Sequence, residues 1–151
     1  MLLMFKVILI DDFPTGNGGS EAVNRTVARQ LGAPIQEAAT FSEVEKDVLY
    51  ILCNTSTMPQ EMLTKIAEEA KYIILEHDYK FVSSRHPWRY ENCIVPEEEK
   101  INTDLYKNAQ AVYVQTDDHL SVFKANNIEG NFISLNCSIW AQEELDILSE
   151  L

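Results

Sequence analysis

Short apolar runs rich in branched residues alternate with helix-patterned segments along almost the whole chain. That alternation restricts the fold more than any other feature, because it is the signature of strands and helices packed in layers. Residues 5–11 (FKVILID), 34–39, 47–54 (DVLYILCN), 71–76 (KYIILE), 111–115 (AVYVQ) and 131–135 read as strands. The clear ones are nearly continuous in apolar residues, as strands buried on both faces are. Residues 20–31, 59–70, 96–108 and 117–127 read as helices. Ser20 suits an N-cap with Glu21 in the first turn, and Gly32 suits a C-terminal stop. Pro59 suits a first helical turn, and Glu97, Glu98 and Glu99 after Pro96 suit the positive end of a helix dipole.

The expected fold is therefore α/β, a Rossmann-like doubly wound parallel sheet of about six strands. A length of 151 residues fits one domain on a prior of ~150 residues per domain. Hydrophobic residues make up 46% of the chain, enough for a buried core. The net charge of −12 argues against a nucleic-acid partner and against docking on anionic membranes. Cys53, Cys93 and Cys137 are odd in number and widely spaced. They suggest neither a disulfide framework nor a metal site, and point to a reducing cytoplasmic setting. The apolar start, residues 1–10, contains Lys6, lacks a cleavage site and is shorter than the ~20 residues of an integral membrane span.

In doubly wound sheets a ligand sits at the carboxyl ends of the strands, beside the point where strand order reverses. With the common order 3-2-1-4-5-6, strand one is central and strands one and four are neighbours there. The loop after the first holds Gly16, Gly18, Gly19 and Ser20, and the loop after the fourth holds Glu76, His77 and Asp78. Both are expected to border one crevice. Glycines let a backbone approach a ligand, and a helix start offers free N–H groups to an anion. The loop lacks the Gly-Lys-Ser/Thr of a P-loop, and Glu21 stands where a dinucleotide fingerprint needs its third glycine. A simple flexible turn is the other reading. His77, between Glu76 and Asp78, is either an acid/base group whose pKa a carboxylate raises or a structural histidine.

Residues 77–95 form a nineteen-residue interval of loop character, longer than the ~12–15 residues at which loops are usually functional or disordered. It carries the one basic cluster of the acidic chain: Lys80, Arg85, His86 and Arg89, interleaved with Phe81 and Trp88. This is either an anion site with a stacking tryptophan or solvated charge around a core tryptophan. His119 and Trp140 carry no independent signal.

Four of these segments together resemble the N-terminal half of GT-B fold glycosyltransferases, the retaining group that uses nucleotide sugars. Gly18-Gly19-Ser20-Glu21-Ala22 is similar to that family's "GG-x-E" turn, and His77-Asp78 to its "HD". Residues 106–116 resemble its "ADxVIxxS" strand, with Thr116 where serine is usual. Residues 133–139 resemble "VIPNGVD", with Cys137 in place of the glycine. The resemblance implies that residues 1–140 are an acceptor-side domain. It implies that residues 141–151 are a connecting segment or helix toward a second, donor-binding domain that this chain lacks. Gly18, Gly19 and Ser20 would then meet the diphosphate of a nucleoside diphosphate sugar, and His77 would be the catalytic residue at the transferred sugar. Asp78, Arg85, Trp88 and Arg89 would bind substrate. No metal or further cofactor is implied, and the chain alone is expected to be inactive without a second domain, partner chain or oligomer.

Two other readings compete. One is a Rossmann-like module binding a nucleotide or partner without catalysis. The other is a receiver domain built on Asp11 and Asp12; it lacks the phosphoacceptor aspartate, since Cys53 and Asn54 end the third strand, and the later lysine.

Overall fold

The computed structural model describes residues 6–149. Phe5, expected to open the first strand, and Glu150 and Leu151, expected to end the connecting segment, lie outside the described residues. Six strands form one all-parallel sheet: β1 (Lys6–Asp11), β2 (Ile35–Glu37), β3 (Val48–Leu52), β4 (Lys71–Leu75), β5 (Val112–Val114) and β6 (Phe132–Ser134). The helices are α1 (Gly19–Leu31), α2 (Gln60–Glu69), α3 (Thr103–Asn108), α4 (Asp117–Ala125) and α5 (Gln142–Ser149). The α/β class with about six parallel strands is thus as the alternation requires. No described helix is long and apolar enough to cross a membrane.

Successive side chains of a strand point to opposite faces, and the core divides accordingly. Ile8, Ile10, Tyr50, Leu52, Tyr72 and Ile74 face Met62 and Ile66 of α2, Tyr106 of α3 and Phe123 of α4. Leu9, Ile51, Cys53 and Leu75 face Ala28 of α1. Each such aliphatic side chain contributes roughly 1.5–3 kcal/mol by leaving water.

The strand order is β2-β1-β3-β4-β5-β6, which corrects the expected order and the expected central place of strand one. β3 separates β1 from β4, pairing five residues with β1 and four with β4. The reason lies in burial. VLYIL is apolar throughout and mostly buried, so it belongs inside the sheet. β2 is three residues long and only partly buried, which suits an edge. Strand order still reverses beside β1, now against β3, so the crevice lies there.

The expected helix over 96–108 is also corrected. Residues Glu97–Glu99 make a single 3-10 turn, and α3 starts only at Thr103. Between them Lys100 pairs with Val82 in an antiparallel bridge, and Ile101 N–H donates to Phe81 O at 2.8 Å. Asn102 then takes a left-handed conformation (φ 55°) that breaks the helix. The glutamates satisfied the dipole argument, but these bonds pull the backbone straight.

The long interval after β4 is no loose loop. Lys80, Phe81, Val82, Pro87 and Val95 are buried in it. Buried Asn126 pins its far end: the side chain accepts from Val95 N–H at 2.7 Å and donates to Cys93 O and Val122 O, both at 2.8 Å. Asn126→Leu is expected to cost about 2–4 kcal/mol, because the buried Val95 N–H and the half-buried Cys93 carbonyl lose their bonds. Chemical denaturation measures this, and a loss under about 0.5 kcal/mol would show that the interval is held elsewhere.

Candidate functional site

Asp11 ends β1 and Asp12 follows it, and both are buried. Asp11 accepts from the Asn24 amide at 3.1 Å and the Asn54 amide at 3.0 Å. Asp12 accepts from the backbone N–H groups of Ser56 at 2.8 Å and Thr57 at 2.9 Å, and from both hydroxyls. Burial acts to raise the Asp12 pKa, but these bonds outweigh it and hold the carboxyl below its usual value. The pair that suggested a receiver's acidic pocket is thus committed to tying β1 to the loop after β3. Among the described residues, no group of three or more His, Cys, Asp or Glu is arranged to hold a metal.

The glycine turn follows. Gly18, not Ser20, is the N-cap of α1, and it gives no side-chain cap. Ser20 lies inside the first turn, with its hydroxyl 3.5 Å from the Asn54 amide. A Cβ on Gly18 would come within 2.2 Å of the Glu21 carboxylate, so a side chain there must displace Glu21. A Cβ on Gly19 would meet nothing within 4 Å. The first N–H groups of α1 thus have no side-chain cap, with open space beside Gly19 and the Glu21 carboxylate beside Gly18. At the other end Gly32 takes the left-handed C-cap conformation expected of it (φ 61°).

His77 follows β4 and reaches across the end of β3 toward α1. Its Nε2 lies 2.7 Å from Asn24 Oδ1, and its Nδ1 lies 3.3 Å from the Gln115 amide nitrogen. The directions of these bonds are determined. A carboxylate only accepts, so Asn24 turns its NH₂ to Asp11 and its oxygen to His77. Nε2 must then carry the proton and donate it, while Nδ1 accepts from Gln115. Burial, with the Lys80 charge adding to it, lowers the His77 pKa to about 4, against opposition from Asp78 and Asp11. The expectation that a neighbouring carboxylate raises this pKa is therefore corrected: the ring is neutral near pH 7.

The remaining charges form one network. Glu76, fully buried, accepts from Lys80 and, at 2.5 Å, from the Tyr106 hydroxyl. Lys80 also lies 3.5 Å from Asp78. Arg85 donates to Asp78 at 2.7 Å, and its other terminal nitrogen is 3.9 Å from Asp12. Burial raises the Asp78 pKa, yet Lys80 and Arg85 outweigh burial and lower it. Arg85 sits at φ 57°, a left-handed conformation costly for any residue that carries a Cβ. His119, which carried no signal, donates its Nε2–H to Asp78 O (2.8 Å) and packs edge-on against Tyr79. It holds the turn that carries Asp78.

These elements border one cavity of about 630 Å³ at the carboxyl ends of the strands. Gly18, Gly19, Ser20, His77, Asp78 and Arg85, all proposed from the sequence, line it together. Trp88 and Arg89 do not. Trp88 is 62% exposed and stacks on His86 outside the cavity, and Arg89 is exposed beside it. The wall instead contains Phe13 and Trp140, 59% and 52% exposed, and Gln115 and Ser138. Asn24, Asn54, Gln115 and Trp140 were missed by sequence reasoning. Only Asn54 carried a usable signal, a polar residue ending an apolar strand.

The geometry presents an open cleft with a neutral, oriented imidazole on its floor and an uncapped helix start on its wall. The chain matches no family model, no curated protein and no solved structure.

Proposed function

We propose that the cleft is the acceptor-side half of a glycosyl-transfer site that takes a nucleoside diphosphate sugar, as in GT-B glycosyltransferases. One observation carries the reading: the glycine turn Gly18-Gly19-Ser20 and His77, distant in sequence, border the same cavity. In this reading the diphosphate meets the uncapped start of α1, where N–H groups and the helix dipole favour an anion. The transferred sugar then takes over the Nε2–H that His77 otherwise donates to Asn24, and Arg85, on the same cavity wall, adds positive charge as the diphosphate departs. The rest of the donor site falls to a second domain or partner chain. The setting is cytoplasmic, where nucleotide sugars are at hand for such chemistry.

A binding module without catalysis is the second reading. Its support is specific: both ring nitrogens of His77 are already engaged by Asn24 and Gln115.

Calorimetric titration with nucleoside diphosphates and their sugars tests the first reading. Saturable binding is expected, weakened about tenfold or more by Arg85→Ala, as for loss of a charge-assisted bond. Turnover by this chain alone is expected to be absent. No binding of any nucleoside diphosphate overturns the reading, and robust transfer by the isolated chain overturns its half-site form.

A further inference from the structure

We propose that the outer part of the cleft is a subsite for a neutral sugar ring, stacked between Phe13 and Trp140. This rests on the cleft being a binding site, as above, but not on transfer chemistry. Phe13 and Trp140 come from opposite ends of the chain, yet line one cavity. Both are among the large apolar side chains left exposed, at 59% and 52%. An exposed tryptophan and phenylalanine gathered on one concave site are the kind of apolar surface that marks a ligand-binding groove.

The chemistry of the neighbouring wall selects the occupant. Asn17, Ser20, Gln115 and Ser138 line the same cavity and are uncharged groups that both donate and accept. Arg85, the cation on the wall, is held by Asp78 at 2.7 Å near Asp12 and serves the diphosphate in the reading above, so it is not left for a second anion. The outer cleft therefore offers no free cation among its described lining residues. A second phosphate or a carboxylate would find little there. A hexopyranose fits, because its axial C–H face is apolar and its equatorial hydroxyls match amides and hydroxyls. A volume of about 630 Å³ leaves room for one such ring beside a diphosphate group.

The chain has two tryptophans, and Trp88 lies outside the cavity. Trp88→Phe thus leaves Trp140 as the single emission reporter. This variant is titrated with methyl α-glucopyranoside, methyl α-mannopyranoside and methyl α-galactopyranoside. Separate titrations use uridine, guanosine and adenosine, and then their diphosphates. A saturable change of Trp140 emission with at least one glycoside is expected. Phe13→Ala in that background is expected to weaken it about tenfold, the scale of one lost ring stack with its buried area. Trp140→Leu in the wild-type chain should lose glycoside binding by calorimetry while circular dichroism stays unchanged.

Nucleosides changing the emission while glycosides do not would overturn the sugar subsite in favour of a base platform. Diphosphates binding without any glycoside response would overturn the subsite and leave the proposed function standing. Binding by neither class would overturn both.

Discussion

Lys80→Ala is expected to cost about 3–5 kcal/mol, the range for removing one partner of a buried ion pair. Its side chain is 6% exposed and Glu76 is fully buried, so the variant leaves a carboxylate facing only the Tyr106 hydroxyl and the Asp78 N–H. That is a large share of the ~5–15 kcal/mol that holds a domain of this size folded. The double variant Glu76→Gln with Lys80→Met should be milder than Lys80→Ala, since no charge stays buried alone. Burial raises the Glu76 pKa even beside Lys80, and loss of Lys80 must raise it further. Above the ordinary carboxyl value the native state then holds a proton that the unfolded state has lost, so stability falls as pH rises. The deficit of Lys80→Ala relative to the parent should accordingly shrink from pH 8 toward pH 5. Urea denaturation at both values measures it, and a deficit that grows in acid would mean that Glu76 is not the group left stranded.

Lys80 also illustrates why composition misled about the basic interval. Read along the sequence, Lys80, Arg85, His86 and Arg89 form a positive patch, yet folding separates them. Lys80 turns inward to Glu76, Arg85 inward to Asp78, and Arg89 outward to solvent. A charge count cannot distinguish these, because pairing depends on carboxylates brought close by β4 and the turn after it.

The class of the fold was legible because apolar periodicity is a local signal. Each strand core, such as VLYIL, announces its own burial. Strand order was not legible, because it depends on which apolar strand competes best for the middle. There β3 wins over β1 by being apolar along its whole length. Element ends failed where side-chain and long-range bonds intervene. Asn102 stops a helix that Glu97–Glu99 favour, and Gly18 caps α1 where Ser20 is the better residue on propensity alone. The shared cavity survived the error in strand order. His77 crosses the narrow end of β3, one strand's width, to reach Asn24. Trp140 was invisible for a different reason: it joins the cavity from beyond β6, by chain path and not by any pattern of its neighbours.

The imidazole of His77 is expected not to titrate between pH 8 and pH 5, and to carry its proton on Nε2. Nitrogen-detected NMR reads both. The chain Asp11–Asn24–His77–Gln115 contains an acceptor-only end, and that end fixes every donor direction after it. With a folded pKa of about 4 against an ordinary 6.5, the native state binds fewer protons than the unfolded state between those values. The contribution is present above pH 6.5 and lost as pH falls toward 4, with a slope of at most ~1.4 kcal/mol per pH unit, reduced because the ring is partly exposed. Gln115→Glu puts a carboxylate at Nδ1, where the cation would be stabilised, and should raise the pKa by about 1–3 units. The same substitution should flatten the pH dependence of stability. A parent His77 titrating near 6.5, or protonated on Nδ1, would reverse the inferred bond directions. The consequence for chemistry is direct. A ring neutral through the physiological range donates little as a general acid, so in the proposed transfer its contribution is the Nε2–H, passed from Asn24 to the sugar as a positioned hydrogen bond. His77→Ala in an assembled enzyme should then lower turnover by roughly 10²–10³ without moving the pH profile, as for loss of a preorganised donor. A proton-transferring His77 would instead take a limb of that profile away with it.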